Sequence, residues 1–238
     1  MNEWQIVSCS KGFFSKEMNI VQNAYILKQY STSSSLITSS VLAVEVGKKV
    51  LFFELAKDCG SFSNEMHIGD IDGDGIDEIA VHSAVGFSGG SGQYISIVLK
   101  VLDNNLIKMF EFSPKERFDT GFTCVLKDNY IISIKNSFTG YEADLDFSKD
   151  KKYYGLIYND NGKVINNQEI FCDTFNFFRF VDIENDGIYE LEGSQYISLY
   201  GHSDYIGEAK TILKFNAYQE KFEVFDALFN VNTGDGSA

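Results

Sequence analysis

The stretch Asp70-Ile71-Asp72-Gly73-Asp74-Gly75-Ile76-Asp77-Glu78-Ile79 decides how this chain is read, because it returns 112 residues later as Asp182-Ile183-Glu184-Asn185-Asp186-Gly187-Ile188-Tyr189-Glu190-Leu191. Both copies carry acids at loop positions 1, 3, 5 and 9, glycine at 6, and aliphatic residues at 2, 7 and 10. A hard divalent cation such as Ca²⁺ takes roughly six to eight oxygens at about 2.3–2.6 Å, and alternate acids on a curled loop can converge on one such point. Glycine at position 6 reaches positive φ without a Cβ clash and so permits the turn. Position 7 would contribute only its backbone carbonyl, which is why Ile76 and Ile188 are acceptable there. Without a cation, four carboxylates held this close repel one another.

The EF-hand opens in the same way, but it requires a bidentate Glu at position 12 and a helix on each side. Position 12 is Val81 in the first loop and Gly193 in the second, and neither side chain can ligate. The residues after Glu78 and Glu190 are short and strand-like rather than amphipathic-helical. The acid at position 9 therefore closes a shorter loop that leads into β-structure.

Gly69 through Val81 resembles the calcium-binding repeat of the FG-GAP and VCBS families, found in the β-propeller of integrin α-subunits and in many secreted bacterial proteins. The resemblance implies a metal in a hairpin loop between adjacent strands of a propeller blade, with Asp70, Asp72, Asp74, the Ile76 carbonyl and Glu78 as ligands. Carried to the second loop, it implies Asp182, Glu184, Asp186, the Ile188 carbonyl and Glu190. The second loop departs from the pattern at Glu184, where the family has Asp or Asn. A second echo, Gln93-Tyr94-Ile95-Ser96 and Gln195-Tyr196-Ile197-Ser198, suggests that loop and following strand repeat together. Its 102-residue offset would place ten extra residues around Ser88-Gly89-Gly90-Ser91-Gly92, which reads as a hairpin extension because no P-loop lysine follows it.

Hydrophobic residues make up 44% of the 238 and aromatic residues 15%, enough for a substantial core. The single proline leaves most turns to Gly, Asn, Asp and Ser. Short β-type runs fill the chain: 25–30, 36–46, 50–56, 78–82, 94–102, 106–112, 122–126, 130–135, 141–147, 153–158, 164–171, 175–181, 189–191, 196–200, 210–215 and 222–225. Residues 16–29 also permit a weak helical reading. The pattern predicts an all-β fold, propeller-like, with four blades of antiparallel strands, or five smaller ones, and calcium loops in two of them; a β-sandwich is the alternative. Because 112 is twice 56, a metal-free blade should lie between the two loops.

One domain over residues 1–238 is expected. Residues 1–23 allow a separate N-terminal extension, the run Ser31-Thr32-Ser33-Ser34-Ser35 a linker, and residues 232–238 a flexible tail. The net charge of −14 repels phosphate backbones and excludes direct nucleic-acid binding as the expected role. Cys9, Cys59, Cys124 and Cys172 form no CxxC; both disulfides and buried thiols are compatible with that spacing. No run reaches transmembrane length and no signal peptide is visible, yet loops this rich in carboxylates suit the high calcium outside cells. The expectation is thus a calcium-stabilised, non-enzymatic binding or adhesion module, extracellular or at the cell surface, with a protein or carbohydrate ligand and no catalytic residues. The segment from Tyr196 to Tyr205, including His202 and Asp204, is a candidate contact surface. A propeller hydrolase acting on glycans, for which Glu142 and Asp144 are the isolated acids to consider, and a calcium-responsive sensor are the alternatives.

Overall fold

The computed structural model describes residues 4–16, 20–31, 37–57, 63–84, 94–113, 118–150, 155–166, 170–199 and 204–231. The glycine-rich run at 88–92, residues 32–35 of the serine run, the tail, Cys59 and His202 lie outside them. Among the described residues the chain is all-β: fifteen strands, one short 3-10 turn at Ser148–Asp150 and no α-helix. No helix of the described residues is long and apolar enough to cross a membrane.

Four sheets follow one another along the chain, each with its strands hydrogen-bonded in sequence order. Sheet I comprises β1 (Trp4–Gly12), β2 (Gln22–Tyr30), β3 (Ile37–Val46) and β4 (Lys49–Lys57); sheet II comprises β5 (Asn64–Gly69), β6 (Glu78–Ala84), β7 (Tyr94–Leu102) and β8 (Asn105–Phe112). Sheet III has three strands, β9 (Phe122–Lys127), β10 (Ile131–Asn136) and β11 (Glu142–Asp146). Sheet IV is built from the longest strands, β12 (Phe171–Val181), β13 (Glu190–Leu199), β14 (Asp204–Asn216) and β15 (Lys221–Val231). Pairing within sheets I, II and III is antiparallel throughout. The chain divides into two compact units, the first formed by residues 1–117, 177–192 and 213–223, the second by 118–176, 193–212 and 224–238. Strands β12 to β15 contribute residues to both.

The first unit has a core of Phe14, Ala24, Ile26, Leu42, Val44, Ile79, Val81, Ile97 and Leu99 with their neighbours. Each fully buried aliphatic chain there contributes about 1.5–3 kcal/mol relative to exposure. Strand β2 shows how the sequence selects this state. Gln22, Ala24, Ile26 and Lys28 are buried while the residues between them are not, a period of two that a helix over 16–29 could not satisfy. The helical reading of that stretch is therefore wrong. The second unit has its own core, built on Ile132, Ile134, Ile157, Tyr158, Ile197, Leu199 and Phe229. Its β9–β10 turn ends in Tyr130, at φ 63°, whose hydroxyl donates to the Asn159 carbonyl at 2.9 Å.

Further differences from the sequence expectation have physical causes. Strands β1 and β5 were not anticipated: β1 exposes Trp4, Ile6 and Val7 and turns inward only the small Ser8, Ser10 and Gly12, so it has no inward hydrophobic stripe, and β5 is a short segment, half of it polar. The expected strands at 153–158 and 164–171 reduce to one bridge between Tyr158 and Val164 among the described residues, while 189–191 and 196–200 belong to a single strand, β13. The Gln-Tyr-Ile-Ser echo is not a structural repeat, because Tyr94–Ser96 opens the third strand of sheet II whereas Gln195–Ser198 lies on the second strand of sheet IV. Among the described residues, Cys9, Cys124 and Cys172 form no disulfide.

Candidate functional site: two acidic hairpin loops

Both acidic loops occupy the same place in their sheets. The first joins β5 to β6, closed by the pairing of Gly69 with Glu78, and the second joins β12 to β13. Sheet III, which has no such loop among its described residues, lies between them in the chain.

The loops share their internal bonding. The Gly75 N–H donates to Asp70 Oδ2 at 2.8 Å, that of Ile76 to Asp74 Oδ1 at 2.8 Å, and that of Ile71 to Glu78 Oε2 at 2.7 Å. The second loop repeats all three: Gly187 to Asp182 Oδ2 at 3.0 Å, Ile188 to Asp186 Oδ1 at 2.9 Å, and Ile183 to Glu190 Oε2 at 3.2 Å. Left-handed backbone is needed at position 6, Gly75 at φ 81° and Gly187 at φ 84°, and also at position 4, Gly73 at φ 76° and Asn185 at φ 54°. Asparagine is among the few side-chain-bearing residues that tolerate this region. Ile71 and Ile76 bury their side chains, so positions 2 and 7 anchor the loop from below while the acids face the other way.

These bonds commit one oxygen of each of Asp72, Asp74 and Glu78 to the backbone. Asp72 Oδ1 accepts from the Asp74 N–H at 3.2 Å. The remaining oxygens meet at one point, and the ammonium of Lys100 stands there: it is hydrogen-bonded to Asp72 Oδ2, 3.0 Å from Asp74 Oδ2 and 3.3 Å from Glu78 Oε1. Glu78 Oε1 is buried and accepts no hydrogen bond. Lys214 plays the same part in the second loop, bonded to Glu184 Oε2 and 3.5 Å from Glu190 Oε1. Both lysines lie on the third strand of their sheet, β7 or β14.

Burial pushes the Glu78 carboxyl up to about 7; the Asp72 charge adds to the rise, and the Ile71 N–H and the Lys100 ammonium oppose it. Burial works against the charge on Lys100, but its bonds to Asp72 and Asp74 outweigh it and hold the amine above the lysine norm. The bond to Glu184 raises Lys214 likewise.

Of the ten expected ligands, the structure brings carboxylate oxygens of Asp70, Asp72 and Glu78 within 4.8 Å of one another, close enough that one ion could touch all three. Asp74 reaches the same point through Lys100 rather than within that triad. Asp182, Glu184, Asp186 and Glu190 form no equally tight group among the described residues; the longer Glu184 extends to a half-exposed position on Lys214. The donor set of the first loop fits a hard cation: all oxygen, four carboxylates against Lys100 and the more exposed Lys16, which stands 3.9 Å from Asp74 Oδ2, and a fully buried acceptor without a hydrogen bond.

Several participants were not visible from the motif. Asp77, at position 8, accepts from the Phe13 N–H at 2.6 Å and donates its own N–H to the Phe13 carbonyl at 2.9 Å, tying the loop to the segment after β1. The two loops also touch. The Tyr189 N–H donates to the Asp70 carbonyl at 2.7 Å, and the Tyr189 ring lies where a Cβ on Gly69 would come within 2.6 Å of it. Position 8 of each loop is therefore a docking position, a role that ligand counting overlooks.

Elsewhere, Glu142 and Asp144 are exposed partners of Lys135 and Lys127 across sheet III, the solvent-facing arrangement expected of them. Tyr196 and Tyr205 are exposed and meet edge to face at 4.7 Å.

A family model described as the YybI C-terminal domain matches residues 120–230, a stretch that includes the second loop and Lys214 but not the first. The uncharacterized protein YybI of Bacillus subtilis (strain 168) is 27% identical over 164 residues, covering 68% of this chain and 61% of that protein. The match thus spans about three-fifths of the relative's length. No solved structure matches.

Proposed function

We propose that this chain is a calcium-stabilised, non-enzymatic binding module in which hairpin loops of a propeller-like β-fold hold the cation. The observation that carries this reading is the convergence of Asp72 Oδ2, Asp74 Oδ2 and Glu78 Oε1 on one point while their partner oxygens are fixed by backbone N–H groups. Asp70, Asp72, Asp74, the Ile76 carbonyl and Glu78 would hold Ca²⁺ in the first loop; Asp182, Glu184, Asp186, the Ile188 carbonyl and Glu190 would hold it, more weakly, in the second. The ion supplies charge that joins two strands across an otherwise self-repelling loop, so its binding free energy becomes folding free energy. Four successive sheets in chain order, three of them four-stranded, support a propeller-like reading with four blades. Calcium at extracellular concentrations suits weak loops of this kind, which favours a module outside the cell or on its surface. A protein or carbohydrate ligand would meet exposed aromatic residues such as Tyr196 and Tyr205, away from the metal.

Thermal unfolding with calcium and with chelator, on the natural chain, Asp72→Ala and Asp186→Ala, tests the reading. Saturation at about 100 times Kd stabilises by about 2.7 kcal/mol, which for a chain of this size raises Tm by about 5–10 °C. Asp72→Ala should abolish most of that rise and Asp186→Ala a smaller part. An unchanged Tm in the natural chain on adding millimolar calcium would refute it.

A further inference from the structure

We infer that Lys100 and Lys214 are tethered cations that occupy the calcium positions of their own loops, so that a divalent ion binds only by displacing the ammonium. The inference rests on the calcium reading above and adds to it what sets the affinity. Three oxygens that a metal would need, on Asp72, Asp74 and Glu78, all lie against Lys100 Nζ. A dication bound to those oxygens would sit about 3 Å or less from the ammonium, where like charges repel strongly in a poorly solvated site. The two cannot share the point. The lysine side chain is only 15% exposed, so it is held within the loop rather than resting on its rim. It also has a route out, since four rotatable bonds connect the amine to β7.

The arrangement occurs twice, from the third strand of two different sheets, with a lysine 30 residues after Asp70 and 32 after Asp182. In each case the amine contacts the acids at positions 3 and 9. A chance surface ion pair would not be expected to select the same two loop positions both times. The consequence is a cation exchange within each hairpin: the loop's charge is partly offset by its own lysine when calcium is scarce, and it takes the metal only when the concentration is high enough to expel that lysine. Expulsion would project an amine out of the loop and make it newly available to solvent.

Two measurements test this on the full chain. Calorimetric calcium titration compares the natural protein with Lys100→Met and Lys100→Gln, two neutral replacements of similar length that guard against one failing to fold. At least tenfold tighter calcium binding at one site is expected in the variants. In the natural protein, acetylation of Lys100, read by mass spectrometry with and without calcium at constant ionic strength, should accelerate when calcium is present. Equal calcium affinity in the natural protein and the variants, or Lys100 acetylation indifferent to bound calcium, overturns the tethered-cation inference and leaves the calcium reading standing. Absence of calcium binding in all three proteins overturns both.

Discussion

Replacing Glu78 with Gln in calcium-free buffer should stabilise the protein at alkaline pH far more than at acid pH. The side chain is fully buried, and its carboxyl, pushed by burial to about 7 from 4.5, takes a proton more readily in the folded than in the unfolded chain. Below about pH 4.5 both states are protonated and the group imposes no penalty; that advantage is lost as pH rises through about 7, where the folded chain must hold a buried carboxylate. The full span corresponds to about 3.4 kcal/mol, at about 1.36 kcal/mol per pH unit. Restricted to the interval from pH 5 to pH 8, linkage gives about 2.5 kcal/mol. Glutamine does not titrate, and its amide oxygen can still accept the Ile71 N–H that Glu78 Oε2 accepts at 2.7 Å. The stability of Glu78→Gln relative to the natural chain should therefore grow by about 2.5 kcal/mol between those pH values, or about 5–10 °C in Tm. Urea unfolding of both proteins in chelator at pH 5, 6, 7 and 8 measures it, and subtraction at each pH removes the titration of the other carboxylates. A difference that stays flat with pH would show that Lys100 keeps Glu78 ionised at no cost, and would refute the argument.

Other consequences are local. Gly69→Ala places a Cβ 2.6 Å from the Tyr189 ring and should cost about 1–3 kcal/mol by overpacking; in a double-mutant cycle with Tyr189→Ala most of that cost should disappear, since the obstructing ring is gone. Tyr130→Phe removes the hydroxyl bond to the Asn159 carbonyl and should cost about 1 kcal/mol in urea unfolding. Burial pushes the Cys124 thiol up to about 12, so that about one in 10⁴ is thiolate at pH 8. Iodoacetamide at that pH should alkylate the exposed Cys9 and reach Cys124 only in urea, as peptide mapping would show.

The sequence made the loops legible because their ligating pattern is local. Asp70 to Glu78 lie within nine residues, and spacing alone predicted the glycine turn at position 6 and the strand that follows. Most two-stranded hairpins were equally plain, since alternation and turn residues sit next to each other; Asp103 and Asn104, both at positive φ, form the two-residue turn pairing Leu102 with Asn105. Legibility failed where a strand's identity depends on its neighbours. Strand β1 carries no inward hydrophobic stripe to detect, and its membership of sheet I is decided by pairing with β2. The Gln-Tyr-Ile-Ser echo misled for a related reason: four residues suit either the second or the third strand of a meander, and only the register separates them.

Lys100 and Lys214 provide the alignment that the echo did not. Each stands on a third strand, and each returns to the loop that joins the first strand to the second, so loop and lysine correspond in chain order between the two sheets with offsets that differ by two residues. A motif search cannot find them, because the contact is made through the sheet and not along the chain. Yet they change what the acidic loops mean energetically. Four carboxylates alone would make each hairpin dependent on metal for its stability; four carboxylates with a resident ammonium make it stable without metal and still negatively charged. The loop thereby keeps an attraction for a dication while opposing its entry, and affinity is determined by the difference between these two effects. Removing the lysine should therefore move stability and calcium affinity in opposite directions, weakening the metal-free fold while tightening the metal, a pairing that neither an inert surface salt bridge nor an unmodified calcium loop would produce.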